Sequence, residues 1–90
     1  MPQPTIARTV LYSLSEADAR LITEQRTQNG VTGNFVEEGQ AYPAVVVRIF
    51  PGNPHGVVNL KVLLDGPDTY WATSRHEGDE PGTWAWPERV

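Results

Sequence analysis

The segment from residue 43 to residue 75 constrains the fold most, because three runs of strand-forming residues follow one another with short turn sequences between them. The runs are PAVVVRIF, VVNLKVLLD and TYWATSR, and the links are PGNPHG and GPD. Links this short join neighbouring antiparallel strands, whereas a parallel connection needs about a dozen residues or more. The segment therefore predicts a three-stranded antiparallel meander.

A helix is predicted on the N-terminal side of this meander. Two overlapping capping-box patterns, Ser13-x-x-Glu16 and Ser15-x-x-Asp18, offer alternative starts, and an Asn-Gly pair supplies a stop signal. We expect the helix to run from about residue 15 to 28. Residues at helical spacing form its expected apolar stripe, namely Leu14, Ala17, Leu21 and Ile22.

Two shorter strands complete the predicted sheet. Residues 5–12 alternate in character as a strand does, and Trp84 and Trp86 direct both indoles to one side before Pro87 ends the strand. Two indoles on one face indicate core or interface packing more than a base-stacking platform, so we assign them to the core. The chain is expected to form a single α+β domain over residues 1–90, in which one N-terminal helix packs on a small antiparallel sheet of about four to five strands.

Composition excludes several classes of function. The chain contains no Cys, and its two His lack metal-ligand spacing, so we expect no metal site and no cofactor. A formal net charge of -4 argues against binding of duplex nucleic acid. No apolar run approaches the roughly 20 residues that span a bilayer, and the first residues lack a signal-peptide pattern. We therefore expect a cytoplasmic protein without a membrane or nucleic-acid polymer as partner.

Catalytic motifs are scarce as well. The residues before the helix contain no glycine-rich phosphate loop, and no nucleophile elbow is present. His76 followed by Glu77, Asp79 and Glu80 would permit acid–base chemistry, but such a run beside Gly and Pro is more typical of a solvated loop. We expect no catalytic residue and no enzymatic activity.

Strict alternation along the meander predicts one apolar and one polar face. The apolar face would comprise Val45, Val47, Ile49, Val58, Leu60, Val62, Leu64, Tyr70 and Ala72. The polar face would comprise Arg48, Phe50, Asn59, Lys61, Thr73 and Arg75. A register that pairs Arg48 with Asn59 also sets Asn59 opposite Arg75. Such a patch suits a phosphorylated nucleotide-like ligand, although the same residues also fit an ordinary solvated sheet face.

Arg26 and Trp71 are the other two candidates. Arg26 lies four residues after Ile22, so it extends the stripe of the helix that faces the core. It would contact either the last helix carbonyls or a ligand. Trp71 would either cap the ligand patch or lie in a subunit interface. Asp65 and Asp68, which flank Gly-Pro, are expected to act as turn residues.

The succession LSEADA, YPAVVVR, LLDGPDTYWATSR and EGDEPGTWAWP resembles a family of small proteins found widely in bacteriophages. In its layout of one helix followed by an antiparallel sheet, the chain is also similar to the phage anti-Thoeris proteins, which sequester cyclic ADP-ribose isomers without cleaving them. This resemblance implies an anti-defence sponge of the host cytoplasm that binds a cyclic ADP-ribose isomer or a cyclic oligonucleotide, assembled as a homodimer or larger homo-oligomer. The matching ligand-binding positions are Arg26, Phe50, Asn59 and Arg75, to which the predicted patch adds Arg48.

Two other hypotheses remain at this point. The chain would be a small phage structural or protein-interaction module without a small-molecule ligand, in which Trp71, Trp84 and Trp86 pack against a protein partner. Alternatively, it would be a hydrolase of such a nucleotide that uses His76 with a nearby carboxylate.

Overall fold

The computed structural model describes residues 3–53 and 55–88, which form one five-stranded sheet and one helix. The elements are β1 (Thr9–Ser13), α1 (Glu16–Asn29), β2 (Ala41–Ile49), β3 (Val58–Leu63), β4 (Thr69–Arg75) and β5 (Trp84–Ala85). The strand order is β4-β3-β2-β1-β5, and all neighbouring strands are antiparallel. The predicted α+β fold and its meander, β2 to β4, are confirmed. Within the residues described, no helix has the length and apolar character needed to cross a membrane.

The helix starts at the second of the two predicted capping boxes. Ser15 is the N-cap, and its Oγ accepts a hydrogen bond from the Asp18 amide at 3.0 Å. The Asp18 carboxylate in turn accepts from the Ser15 amide at 2.9 Å, so two amides at the helix start are satisfied. At the other end Gly30 adopts a left-handed conformation with φ 64°, and its amide donates to the Arg26 carbonyl. Both ends therefore follow from local sequence signals.

The core lies between α1 and the face of the sheet that α1 covers, which we call the inner face. Its buried members from the strands are Val10, Tyr12, Ala44, Val46, Val58, Leu60, Val62, Tyr70, Ala72 and Trp84. Trp84 is buried as predicted, and Trp86 packs edge-on against it with 5.3 Å between ring centroids. The opposite, outer face of the sheet is not covered by α1.

The buried stripe of α1 differs from the apolar stripe predicted. Asp18, Ile22 and Arg26 are its buried residues, whereas Ala17 and Leu21, expected in the core, are exposed. Ionised side chains occupy buried positions only when they are paired, and here β4 supplies the partner of Asp18 and the turn before β4 supplies that of Arg26. Apolar periodicity alone therefore placed Leu14 and Ile22 correctly in the core and Ala17 and Leu21 wrongly.

A β-bulge in β2 makes Val47 an extra residue relative to β3. Before the bulge, Ala44 and Val46 face the core, whereas Val45 and Val47, predicted in the core, are half-buried and exposed. After it, Ile49 packs against the core as predicted. Strict alternation gave the wrong face for part of β2 because a bulge inserts one residue and changes the parity of the strand.

A second bulge lies in β4, where Thr73 and Ser74 stand together opposite Asn59. Ser74 has a positive φ of 55°, and its amide donates to the Asn59 side-chain oxygen at 2.7 Å. The extra residue turns Arg75 to the inner face, where it pairs with Val58. The prediction that Asn59 lies opposite Arg75 on one face is therefore wrong, because the bulge inverts the alternation of β4.

Candidate functional site

Asp18 is the centre of a buried polar cluster between α1 and the inner face. Its carboxylate, whose residue is 1% exposed, accepts hydrogen bonds from the hydroxyls of Tyr12 and Tyr70. It also accepts from Arg75 Nη2 at 2.9 Å and from the Ser15 amide at 2.9 Å. Four donors occupy the acceptor sites of an ionised carboxylate and so offset its burial. We refer to Tyr12, Asp18, Tyr70 and Arg75 as the Asp18 cluster.

The protonation states of the Asp18 cluster are fixed around neutral pH. Burial acts to raise the pKa of Asp18, but hydrogen bonds from Tyr12, the Ser15 amide and Tyr70 outweigh burial and hold it below its usual range. Burial and the adjacent carboxylate raise the pKa of Tyr70 to about 12 and also raise that of Tyr12. Groups that do not change protonation near pH 7 are poorly suited to general acid–base catalysis.

The Arg75 guanidinium is held by contacts within the Asp18 cluster. Besides its ion pair with Asp18, its guanidinium carbon lies 5.8 Å from the centroid of the Tyr12 ring. Its side chain remains 29% exposed, while its Nε is buried without a hydrogen-bond partner among the described residues. A ligand phosphate at Arg75 would therefore compete with a buried carboxylate for the same cation.

Arg26 forms the second ion pair, at the other end of α1. Its Nε and Nη2 bind the Asp68 carboxylate at 2.8 and 3.1 Å, and its Nη1 donates to the Asn34 carbonyl at 2.7 Å. Gly33 lies so close that a Cβ there would be 2.6 Å from Nη2. The inward position of Arg26 is confirmed, but it contacts the turn between β3 and β4 instead of the last helix carbonyls. Asp68 thus does more than form a turn.

The five predicted ligand-binding residues do not converge on one pocket in a single chain. Arg48, Phe50 and Asn59 remain neighbours, since Arg48 pairs with Asn59 and its guanidinium carbon lies 5.4 Å from the Phe50 centroid. Arg75 lies on the inner face beside Asp18. Arg26 lies two helical turns beyond Asp18, a distance of about 12 Å along α1. Asn59 is also occupied, because it holds the bulge of β4. Whether any of the five binds a ligand stays a prediction.

A groove between α1 and β4 was not predicted from the sequence. It has a volume of about 640 Å³ and is lined by Leu21, Glu24, Gln25, Gln28, Tyr70, Trp71, Thr73 and Arg75. Trp71 is 58% exposed and Leu21 is 48% exposed. Large apolar side chains grouped at such exposure are typical of contact surfaces. We call this region the edge groove.

The main chain of β4 presents hydrogen-bonding groups to the edge groove. In the described part of the chain β4 is an edge strand, and β3 is its only neighbour in the sheet. The Thr69 carbonyl points away from β3, since it accepts from the Gln25 side-chain amide at 3.3 Å. The main-chain groups of alternate residues in a strand point to the same side, so Trp71 also directs its N–H and C=O groups outward. The Thr73 N–H points outward as well, because it lies opposite the Ala72 C=O in their shared trans peptide, where the bulge begins.

Among the residues that the structure describes, no three His, Asp or Glu side chains are grouped so that they could hold a metal ion. Comparison of the chain with protein-family models, with curated proteins and with solved structures gives no match.

Two features define the candidate site. They are the edge groove and the Asp18 cluster, which lines part of the groove through Tyr70 and Arg75.

Proposed function

We propose that this chain is a non-catalytic protein-interaction module whose contact surface is the edge groove. One observation carries the proposal: the free edge of β4 offers outward main-chain groups beside the exposed Trp71 and Leu21. An extended protein segment added to this edge would form hydrogen bonds with the main chain and cover both apolar side chains at once. A small compact ligand satisfies only a fraction of these groups.

The charges around the groove support a protein partner over a compact anion. Among the described lining residues the cation is Arg75, which is already paired with Asp18, and Glu24 adds a carboxylate. If a phosphate drew Arg75 away, Asp18 would keep its bonds from Tyr12, Tyr70 and the Ser15 amide but lose its counter-charge, which would weaken phosphate binding. Strand addition leaves the Arg75–Asp18 pair in place, because it uses main-chain groups. The Thr69 carbonyl, which already accepts from Gln25, has a second lone pair for a partner.

Site-specific photocrosslinking in cells tests this proposal. Trp71→p-benzoylphenylalanine keeps a large aromatic group at the edge, and irradiation is expected to join the chain covalently to one defined segment of a protein. The same amino acid at Arg20, an exposed position on α1 outside the edge groove, serves as the matched control. Absence of adducts at position 71, or equal and scattered adducts at both positions, would contradict the proposal.

Capture of a cyclic nucleotide without cleavage is a second candidate function, favoured by the arrangement of Arg48, Phe50 and Asn59. These residues lie together at one end of the sheet, and Arg48 has no ion pair within the described residues. A free guanidinium beside a ring is suited to a phosphate and a stacked base. In this case the chain would be an anti-defence sponge for a cyclic ADP-ribose isomer or a cyclic oligonucleotide, as its resemblance to phage proteins implies.

Thermal-shift measurements with cyclic ADP-ribose isomers and cyclic di- and trinucleotides test this second function. A sponge should show a rise in Tm of several degrees, since ligand at 100 times its Kd stabilises by about 2.7 kcal/mol. Mass spectrometry of heat-released ligand should return its original mass, whereas a changed mass would indicate a hydrolase. Arg48→Ala should abolish the rise and Lys61→Ala, at an exposed cation of the next strand, should not. No rise with any member of the panel would exclude capture of these ligands.

A further inference from the structure

We infer that the partner of the edge groove is a second copy of this chain, which adds its own β4 antiparallel to the first across a twofold axis at Trp71. The inference rests on the proposed function and specifies its partner. The two five-stranded sheets would join into one continuous ten-stranded sheet. Each edge groove would then be closed by the β4 and α1 of the other copy.

The sequence of β4 suits pairing with itself. Its outward-facing residues are Thr69, Trp71 and Thr73, which read the same in both directions about Trp71. With the axis at Trp71, this residue exchanges both main-chain hydrogen bonds with its copy, and each Thr69 faces a Thr73. A twofold contact requires a patch that is complementary to itself, and aromatic and Thr–Thr pairs across strands stabilise such contacts.

Natural monomers block exposed edge strands with proline, inward charges or short length, and β4 has little of this protection. It contains no Pro over its seven residues, and its charged residue, Arg75, lies at its end and faces Asp18. The bulge begins at Thr73, so Thr69 to Ala72 form the regular part of this edge. At the opposite edge, β5 has only two residues and is soon followed by Pro87. Within the described chain, the sheet therefore offers one long edge for pairing.

Apolar surface also matches between two copies. The two α1 helices would lie side by side on the inner face and cover Leu21. On the outer face each Trp71 would contact its copy. One symmetric contact thus covers both exposed apolar side chains of the edge groove.

Sedimentation velocity of the purified chain at micromolar concentration tests the inference, and the wild-type chain is expected to sediment as a dimer. Thr73→Pro removes an outward amide without removing a hydrogen bond to β3, so the variant should remain folded and raise the Kd of the dimer at least tenfold. Thr73→Val keeps the amide and a strand-forming side chain, and it should remain a dimer. Circular dichroism checks the fold of each variant.

A second variant keeps the test decisive if Thr73→Pro fails to fold. Trp71→Glu changes an exposed residue and places two carboxylates face to face at the axis, so the dimer should dissociate. A monomeric wild-type chain, or a dimer that persists in both folded variants, would overturn the inference. A monomeric chain that nevertheless forms position-71 adducts with a different protein would overturn the inference and leave the proposed function standing. Dimerisation elsewhere without position-71 adducts would overturn both.

Discussion

Asp18→Ala is expected to lower the free energy of unfolding by about 3–5 kcal/mol, the range found when one partner of a buried ion pair is removed. The substitution leaves Arg75 without its counter-charge and two buried tyrosine hydroxyls without their acceptor. It also removes half of the capping box at Ser15. Domains of this kind have a total stability of about 5–15 kcal/mol, so much of the fold would be lost. Urea denaturation followed by circular dichroism measures the change.

The matched control for this variant is Glu16→Ala, which removes an exposed carboxylate from the same first helical turn. That change should cost no more than about 1 kcal/mol, the upper range for a charge at a helix N-terminus. Asp18→Asn, which keeps the shape and part of the hydrogen bonding, should fall between the two. Equal costs for Asp18→Ala and Glu16→Ala would mean that the cluster does not form in solution.

Local signals predicted the elements of this fold well. The capping box, the Asn-Gly stop and the short turns depend on residues close in sequence, and α1 and the meander follow them. Alternation also placed the core residues of β3 correctly, because β3 carries no extra residue. It failed where a bulge intervened, at Val47 and at Ser74. Each bulge adds one residue that no local pattern marks, and the second is held by the side chain of Asn59.

The candidate site was less predictable, because its charged residues form ion pairs with residues that are far away in the sequence. Asp18 and Arg26 lie four residues on either side of Ile22, so the sequence does place them on the buried stripe of α1. Their partners Arg75 and Asp68 lie 57 and 42 residues away along the chain. Because these pairs were not foreseen, the sequence prediction placed both Arg26 and Arg75 among the ligand-binding residues. The edge groove escaped prediction because it depends on where α1 crosses the sheet.

Stability should decrease on both sides of a plateau around neutral pH. On the alkaline side, burial and the Asp18 carboxylate raise the pKa of Tyr70 from 10.0 to about 12 in the folded chain, so the unfolded chain loses this proton first. The contribution of Tyr70 to the free energy of unfolding is roughly 3 kcal/mol in total. It is complete below pH 10 and is lost between pH 10 and 12. Tyr12 acts in the same direction. On the acid side, the lowered pKa of Asp18 means that its contribution is lost as the pH falls below the ordinary value of 3.8.

Urea denaturation at a series of pH values measures this profile, and Tyr70→Phe identifies its origin. The variant should lose part of the alkaline decrease and keep the acid one, because Asp18 retains its bonds to Tyr12 and Arg75. Tyr42→Phe is the control, since the Tyr42 hydroxyl bonds to Gln40 and not to Asp18, and it should leave the profile unchanged. If Tyr70→Phe keeps the whole alkaline decrease, the Tyr70 phenol is not bound to the carboxylate in solution. Asp18 would then rely on Tyr12, the Ser15 amide and Arg75 alone, and Arg75 would be still less available to an anionic ligand.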